Sequence, residues 1–341
     1  MTTIPASVLT RWSRFAHGAV RPFGNGLINK TFLVEGNERA IFQRLHPVFA
    51  GSVNQDIDAV TRHLANKGLT TTRILATDDG ALYVECPDSG RPWRALTFVD
   101  GTSVDRLENP ARAFAAGALV AKFHGAVADL SHEYRHVRTG VHDSKKHLHG
   151  LARALDEHPA HRLYPVVAPL AEEVLAAGRA LPDFSSLPLR HSHGDLKISN
   201  VLFGAHGEGR CLIDLDTLGL MAWPFEMGDA LRSWCNLQGE DIEQADIDVE
   251  VFTATIKGYA SAGRVSAAER DALVDGLFTI CLELSARFLA DSLHETYFGW
   301  NESKYQTRGE HNLLRARGQW TLAKSADAKR AELQAIVRAV L

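Results

Sequence analysis

Apolar residues recur with the helical period over 5–17 (Val8, Leu9, Trp12, Phe15) and over 55–67 (Ile57, Val60, Leu64), the second stretch closed by Gly68. Between them Thr31 to Val34 and Ala40 to Leu45 are β-prone runs separated by Glu35-Gly36-Asn37-Glu38, which predicts two strands and a turn. Two or three further strands are predicted, over 72–77, 81–86 and 93–99, with Asp79-Gly80 as a hairpin turn. From Asn109-Pro110 the pattern becomes helical over 111–127, 143–156 and 165–179, and again over 247–262, 266–294 and 309–339. A β interlude breaks this helical part: a strand at 189–193, then Val201 to Phe203 and Cys211 to Leu215. Three glycines between 204 and 210 let those last two runs fold back on each other. A sheet-rich opening and a helix-rich remainder predict an α+β chain of two lobes, 1–100 and 101–341.

Candidate chemistry concentrates in the β interlude. His193-Gly194-Asp195 is followed by Asn200 five residues on, and the apolar run Cys211-Leu212-Ile213 ends at Asp214. Antiparallel pairing of the two runs brings Asn200 and Asp214 to one edge, and a continuing strand would put Asp214 and Asp216 on one face. Phosphoryl transfer to a hydroxyl needs a carboxylate to orient the nucleophile and take its proton. It also needs oxygen ligands that hold Mg²⁺ on the phosphate. Asp195 suits the first role, and Asn200 with Asp214 the second. A purely structural loop, with Asp195 capping a turn, is the competing explanation.

The run HGDLKISN followed by IDLD resembles the aminoglycoside phosphotransferase and choline kinase-like superfamily, small-molecule relatives of the protein kinases. The resemblance implies a bilobal protein-kinase-like fold with ATP and Mg²⁺ in the cleft. Asp195 is then the catalytic base, Asn200 and Asp214 the metal ligands, and Lys197 a lysine near the γ-phosphate. His193 belongs to the same motif as a supporting residue. Trp223 to Arg232 resembles the family's structural-aspartate segment, in which Asp229 bonds the catalytic-loop backbone. Gly24, Asn25 and Gly26 stand where backbone N–H groups would approach phosphates, although a plain hairpin turn has the same composition. On the third strand Arg44 replaces the usual lysine, and Asp56 on the following helix is its favoured partner. Arg44 as a solubilising strand-edge charge is the other view. Thr97 and Val99 fall at the segment that pairs with adenine in a bilobal kinase. The protein-kinase signatures themselves are missing: there is no G-x-G-x-x-G-x-V, V-A-I-K, DFG or APE.

Composition narrows the partners. A formal charge of −4 over 341 residues gives no nucleic-acid footprint. No apolar run reaches membrane-spanning length and the N-terminus has no secretory pattern, so a cytoplasmic protein is expected. Cys86, Cys211, Cys235 and Cys281 are too far apart for a metal motif, and the sixteen histidines are dispersed.

For the acceptor, GNGLINKTF with IFQRL, WRALTFVDG, ARFLADSL and HNLLRARGQ resemble the bacterial N-acetylhexosamine 1-kinase group, which implies a sugar hydroxyl. Where that group often has G-H-I-N-D-T, this chain has Leu27 and Lys30. Arg287 and Asp291, one turn apart on an apolar helix, are expected either to pair or to bind substrate hydroxyls beside Tyr297, Phe298 and Trp300. Aminoglycoside, choline, ethanolamine and homoserine-type acceptors stay open. The acids Glu240, Asp241, Glu243, Asp246 and Asp248 would suit a polycation if they line a pocket rather than a solvated face. A nucleotide-binding scaffold without turnover is the reading from another class.

Overall fold

The computed structural model describes residues 3–24, 29–136 and 142–341. The opening part carries α1 (Ala6–Leu9), β1 (Ala19–Pro22), β2 (Lys30–Glu35), β3 (Arg39–Arg44), α2 (Val53–Asn66), β4 (Ile74–Leu75), β5 (Val84–Glu85) and β6 (Pro92–Thr97). These strands form one antiparallel sheet in the order β1-β2-β3-β6-β4, with β5 also on β6. β4 and β5 both pair with β6 and not with each other, so Asp79-Gly80 closes a turn rather than the expected hairpin. The helix expected over 5–17 is shorter, because the chain tightens into a 3₁₀ turn at Ser13–Phe15. Trp12 and Phe15 still pack edge-on to Phe42, at 5.3 and 5.7 Å, and fill one face of the sheet.

The larger part is mainly helical: α3 (Pro110–Val127), α4 (Ser144–Glu157), α5 (Tyr164–Gly178), α6 (Trp223–Trp234), α7 (Val249–Ala260), α8 (Ala267–Asp271), α9 (Leu273–His294), α10 (Arg308–Ala328) and α11 (Arg330–Val340). Asn109 starts α3 by accepting the Arg112 N–H, and the Pro110 that follows needs no donor partner at that position. Two short ribbons interrupt the helices. β7 (Leu189–Ser192) pairs with β10 (Gly219–Ala222), and β8 (Val201–Phe203) with β9 (Gly209–Leu212), both antiparallel. α9, buried over most of its length, is the axis on which α4, α6 and α10 pack.

The two parts are not joined by a linker alone. Ile57, Val60 and Leu64 of α2 belong to the same buried cluster as Val120, Phe123 and Val127 of α3. The Asp56 carboxylate accepts from His132 Nε2 and the Arg135 N–H at 2.9 Å, and its second oxygen accepts the His136 N–H at 2.9 Å. α2 is therefore fastened to the helical part by both its apolar and its polar face.

Candidate active site

The site is built at the mouths of the two ribbons. The Ile213 N–H donates to the Asn200 carbonyl at 2.9 Å, which extends the β8–β9 ladder and sets Asn200 and Asp214 at one end of it. β9 stops at Leu212, however, and Asp214 adopts a left-handed conformation (φ 64°) before a 3₁₀ turn over Leu215–Thr217. The strand continuation that would place Asp214 and Asp216 on one face does not form. Asp214 turns to the cleft, with 33% of its side chain exposed, while Asp216 turns inward and is 2% exposed. A non-glycine residue at positive φ costs on the order of 1–3 kcal/mol, so the surroundings hold it there.

Those surroundings centre on a pair that the sequence reading missed. Arg94 on β6 is 1% exposed and donates through Nη1 to Asp216 Oδ1. It also donates from Nε and Nη2 to Gln43 Oε1, at 2.9 and 2.6 Å. The second Asp216 oxygen accepts from Asn29 Nδ2 at 2.5 Å, and Asn29 Oδ1 in turn accepts the His46 N–H. A buried cation on the sixth strand thus grips the loop after Asp214. Among the described residues no ion pair joins Arg44 to Asp56, because Asp56 is committed to residues 132–136. The expected Arg44–Asp56 pair is corrected accordingly.

The loop that carries Asp195 is held from beneath. Gly194 sits at φ 82°, and a Cβ there would come within 2.2 Å of the Thr217 carbonyl, so only glycine lets the two loops touch. His193 Nε2 donates to the Ile213 carbonyl at 2.9 Å. Glu226, near the start of α6, accepts the N–H groups of His193 and Gly194 at 2.7 and 3.0 Å. Burial opposes its charge, but the His124 imidazole and the His193 donors outweigh this and hold the carboxyl below its usual range. One turn on, Asp229 Oδ2 accepts the Leu196 N–H at 2.9 Å, and Ser233 Oγ accepts that of Ile198 at 3.0 Å. Trp234 Nε1 closes the set by donating to the Leu196 carbonyl. Asp229 lies inside α6 rather than at a helix cap, and it reaches the loop backbone from there. Glu226 escaped notice in the sequence; an acid between the apolar run Trp223-Pro224-Phe225 and Met227 was its only signal.

Above this base Asp195 faces the cleft with 27% of its side chain exposed. Lys197 Nζ lies 2.8 Å from Asp195 Oδ2 and 3.9 Å from Asp214 Oδ2, so one ammonium bridges both acids. Asn200 Nδ2 donates to the Asp195 carbonyl at 2.8 Å and to Oδ2 at 3.1 Å. With Nδ2 spent on Asp195, the oxygen of that amide is the atom left for a cation. A carboxylate and an amide oxygen are the hard donors that Mg²⁺ takes. Burial raises Asp195, but Lys197 more than offsets it and the carboxyl falls below its ordinary range. Asp214 goes the other way: burial and the neighbouring Asp216 push it up to about 6, a surplus of negative charge that a cation relieves.

Gly24 is exposed at φ 75°, and Asn25 and Gly26 lie outside the described residues. The Thr97 N–H donates to the Arg73 carbonyl at 2.9 Å within the sheet, so it is not available to adenine; Val99 lies beyond the end of β6. Asp291 is buried and spent. It accepts the N–H groups of Thr296, Tyr297 and Phe298 and the Asn312 amide, at 2.8 to 3.0 Å. It is a staple for the chain leaving α9, not a substrate ligand, and Arg287 lies over the Phe298 ring, 5.4 Å from its centre, instead of pairing with it. A polar cavity of about 130 Å³ opens next to the loop, bounded by Lys197, Ser199, Arg232, Asn236 and Glu240 with Asp105.

Comparison with known proteins gives the family and the fold. Residues 19–260 match the family model described as "phosphotransferase enzyme family". Among solved structures, an aminoglycoside phosphotransferase from Alicyclobacillus acidocaldarius superposes with a TM-score of 0.63 at 17% identity, covering 98% of this chain and 97% of its own. A microcompartment-associated aminopropanol kinase gives 0.62 at 17% identity over 96% of each chain. An amicoumacin kinase, in complex with AMP-PNP, Ca²⁺ and its antibiotic, gives 0.60 at 16% identity over 91% and 88%. At these identities the neighbours show the fold, a small antiparallel sheet lobe on a larger helical one, and the family match shows the rest. This chain belongs to the phosphotransferase enzyme family and is a phosphotransferase that acts on hydroxyl groups of small molecules.

Proposed function

We propose that the chain transfers the γ-phosphoryl group of ATP, with Mg²⁺, to a hydroxyl of a neutral acceptor, most favourably a sugar of the N-acetylhexosamine 1-kinase kind. The observation that carries the neutral acceptor is the pairing of the acids beyond Asp214. Glu240 meets Arg232 at 3.2 Å, Asp241 meets Arg315 at 2.8 Å, Glu243 meets Arg317 at 3.5 Å and Asp246 meets Lys329 at 2.6 Å. Asp248 caps α7 through the Val251 N–H. A polycationic antibiotic would find these charges already neutralised. An aromatic cage for a quaternary ammonium fares no better here: Phe298 and Phe288 face Arg287 and Arg315, and Tyr305 stacks on His311. The cavity beside Lys197 instead offers mixed donors and acceptors, which suit a polyhydroxylated ligand.

In this reading the acceptor hydroxyl lies against Asp195, which orients it and takes its proton as the oxygen attacks the γ-phosphorus. The β–γ bridging P–O bond breaks and ADP leaves. Asp195 is a weak base and acts late, as a loose transition state allows. Asp214 and the Asn200 amide oxygen hold Mg²⁺, which would supply charge neutralisation on the transferring phosphate. Lys197, kept charged by its two acids, is placed to meet the same phosphate. Glu226, Asp229 and His193 act as positioning residues, and the lobe boundary falls near Gly101. The neighbour solved with AMP-PNP and Ca²⁺ supports a nucleotide and a divalent cation in this fold. Four buried, unpaired cysteines fit the reducing cytoplasm.

The test is Mg²⁺-dependent ADP release across neutral sugars, amino-alcohols and aminoglycosides. Turnover with N-acetylhexosamines and a sugar 1-phosphate product is expected. Turnover confined to cationic acceptors would overturn the neutral-acceptor assignment.

A further inference from the structure

Away from the transfer site, two histidines 136 positions apart in sequence meet at one point. His158 follows the last residue of α4, and His294 is the last residue of α9. His158 Nε2 and His294 Nδ1 are 3.0 Å apart, and the rings cross at 86°. Glu157 brings a carboxylate oxygen to the same place, so that three ligand atoms lie within 4.8 Å of one another. Both imidazoles are half-buried and the glutamate is exposed.

We propose that Glu157, His158 and His294 bind one divalent transition-metal ion of the zinc type, which clips the end of α4 to the end of α9. Two imidazole nitrogens and a carboxylate oxygen form the mixed donor set that Zn²⁺ takes at about 2.0–2.2 Å per ligand, with a fourth position left for water. Tetrahedral ligands at such lengths stand roughly 3.4 Å apart. The imidazoles must open from 3.0 Å and turn so that both nitrogen lone pairs converge on the ion, and the exposed Glu157 closes the remaining gap by a change of rotamer. Mg²⁺, which prefers oxygen ligands, does not compete for this set. A clip here bears on the helix end from which Asp291 staples residues 296–298. The alternative is a plain hydrogen bond between two neutral rings.

Titration of the full chain with Co²⁺, in excess Mg²⁺ and ADP to occupy the transfer site, separates the two. One Co²⁺ per chain is expected, with the strong visible absorption of four-coordinate cobalt and displacement by Zn²⁺. His158→Ala, His294→Ala and Glu157→Gln each weaken binding by more than about 100-fold, beyond the roughly 10–100-fold that loss of an outer-shell partner costs. His206→Ala, exposed on the β8–β9 turn, leaves it unchanged. Should the histidine variants fail to fold, the exposed Glu157→Gln still reads the site. A wild-type chain that takes up no cobalt with this signature, or variants that bind it as the wild type does, overturns the proposal.

Discussion

Asp195 and Asp214 flank the same lysine, yet their surroundings push them in opposite directions. Asp195 rises from a loop whose backbone is tied down by Glu226, Asp229 and Ser233, and Lys197 keeps its carboxyl ionised. Asp214 stands on a left-handed residue beside Asp216, and its charge is opposed by burial and by that neighbour. A carboxylate kept ionised by the protein's own lysine suits the orientation of a hydroxyl. One that carries unrelieved charge suits a cation. The difference supports the proposed division into base and metal ligand, which the shared residue type alone would not.

The largest effect should come from removing the orienting group. Asp195→Asn is expected to lower turnover by about 10²–10⁴-fold, the usual share of a positioned acid or base, while ATP still binds. Turnover at the wild-type level in a rate assay would break the assignment. Next comes the buried pair behind Asp214. Arg94→Met leaves Asp216 buried and unpaired, at a cost of about 3–5 kcal/mol in stability. Replacing both, as Arg94→Met with Asp216→Leu, should recover most of that in a denaturant melt but not the turnover, because the loop loses its grip. Recovery of both would reduce the pair to a packing feature.

The comparison also predicts how pH and metal interact. A cation binds the ionised form of Asp214, so at limiting Mg²⁺ the rate should fall as pH drops through about 6. Saturating Mg²⁺ holds Asp214 ionised and should move that acid limb to lower pH, until Asp195, ionised below the ordinary carboxylate range, sets it. An acid limb that ignores Mg²⁺ concentration would contradict this. The smallest effect is reserved for a surface pair: Glu243→Gln, partnered with a half-buried Arg317, should change stability by less than about 1 kcal/mol and leave turnover unaltered.

What could be read in the sequence followed from how local the cause was. Asp195, Asn200 and Asp214 lie within twenty residues, and a glycine-rich turn between two β-prone runs is enough to bring the last two together. α3 was legible because an Asn-Pro start and an alanine-rich apolar pattern act within one helix. Arg94 and Asp216 are 122 positions apart and meet only because β6 crosses the ribbon loop, so Arg44, on the strand where a cation was expected, drew attention instead. Asp291 shared a helical face with Arg287 as the spacing required, but periodicity does not show that the chain beyond α9 turns back and consumes the carboxylate. That the Thr97 N–H is taken by the Arg73 carbonyl was hidden for a similar reason, since the partner comes from a neighbouring segment.

The measurement that tests the division of labour most directly is the Mg²⁺ dependence of ADP release in Asp195→Asn and Asp214→Asn, side by side with the wild type. The account predicts that Asp195→Asn lowers the plateau and leaves the Mg²⁺ midpoint in place, whereas Asp214→Asn moves the midpoint to higher Mg²⁺. A midpoint shifted by Asp195→Asn and untouched by Asp214→Asn would reverse the two roles.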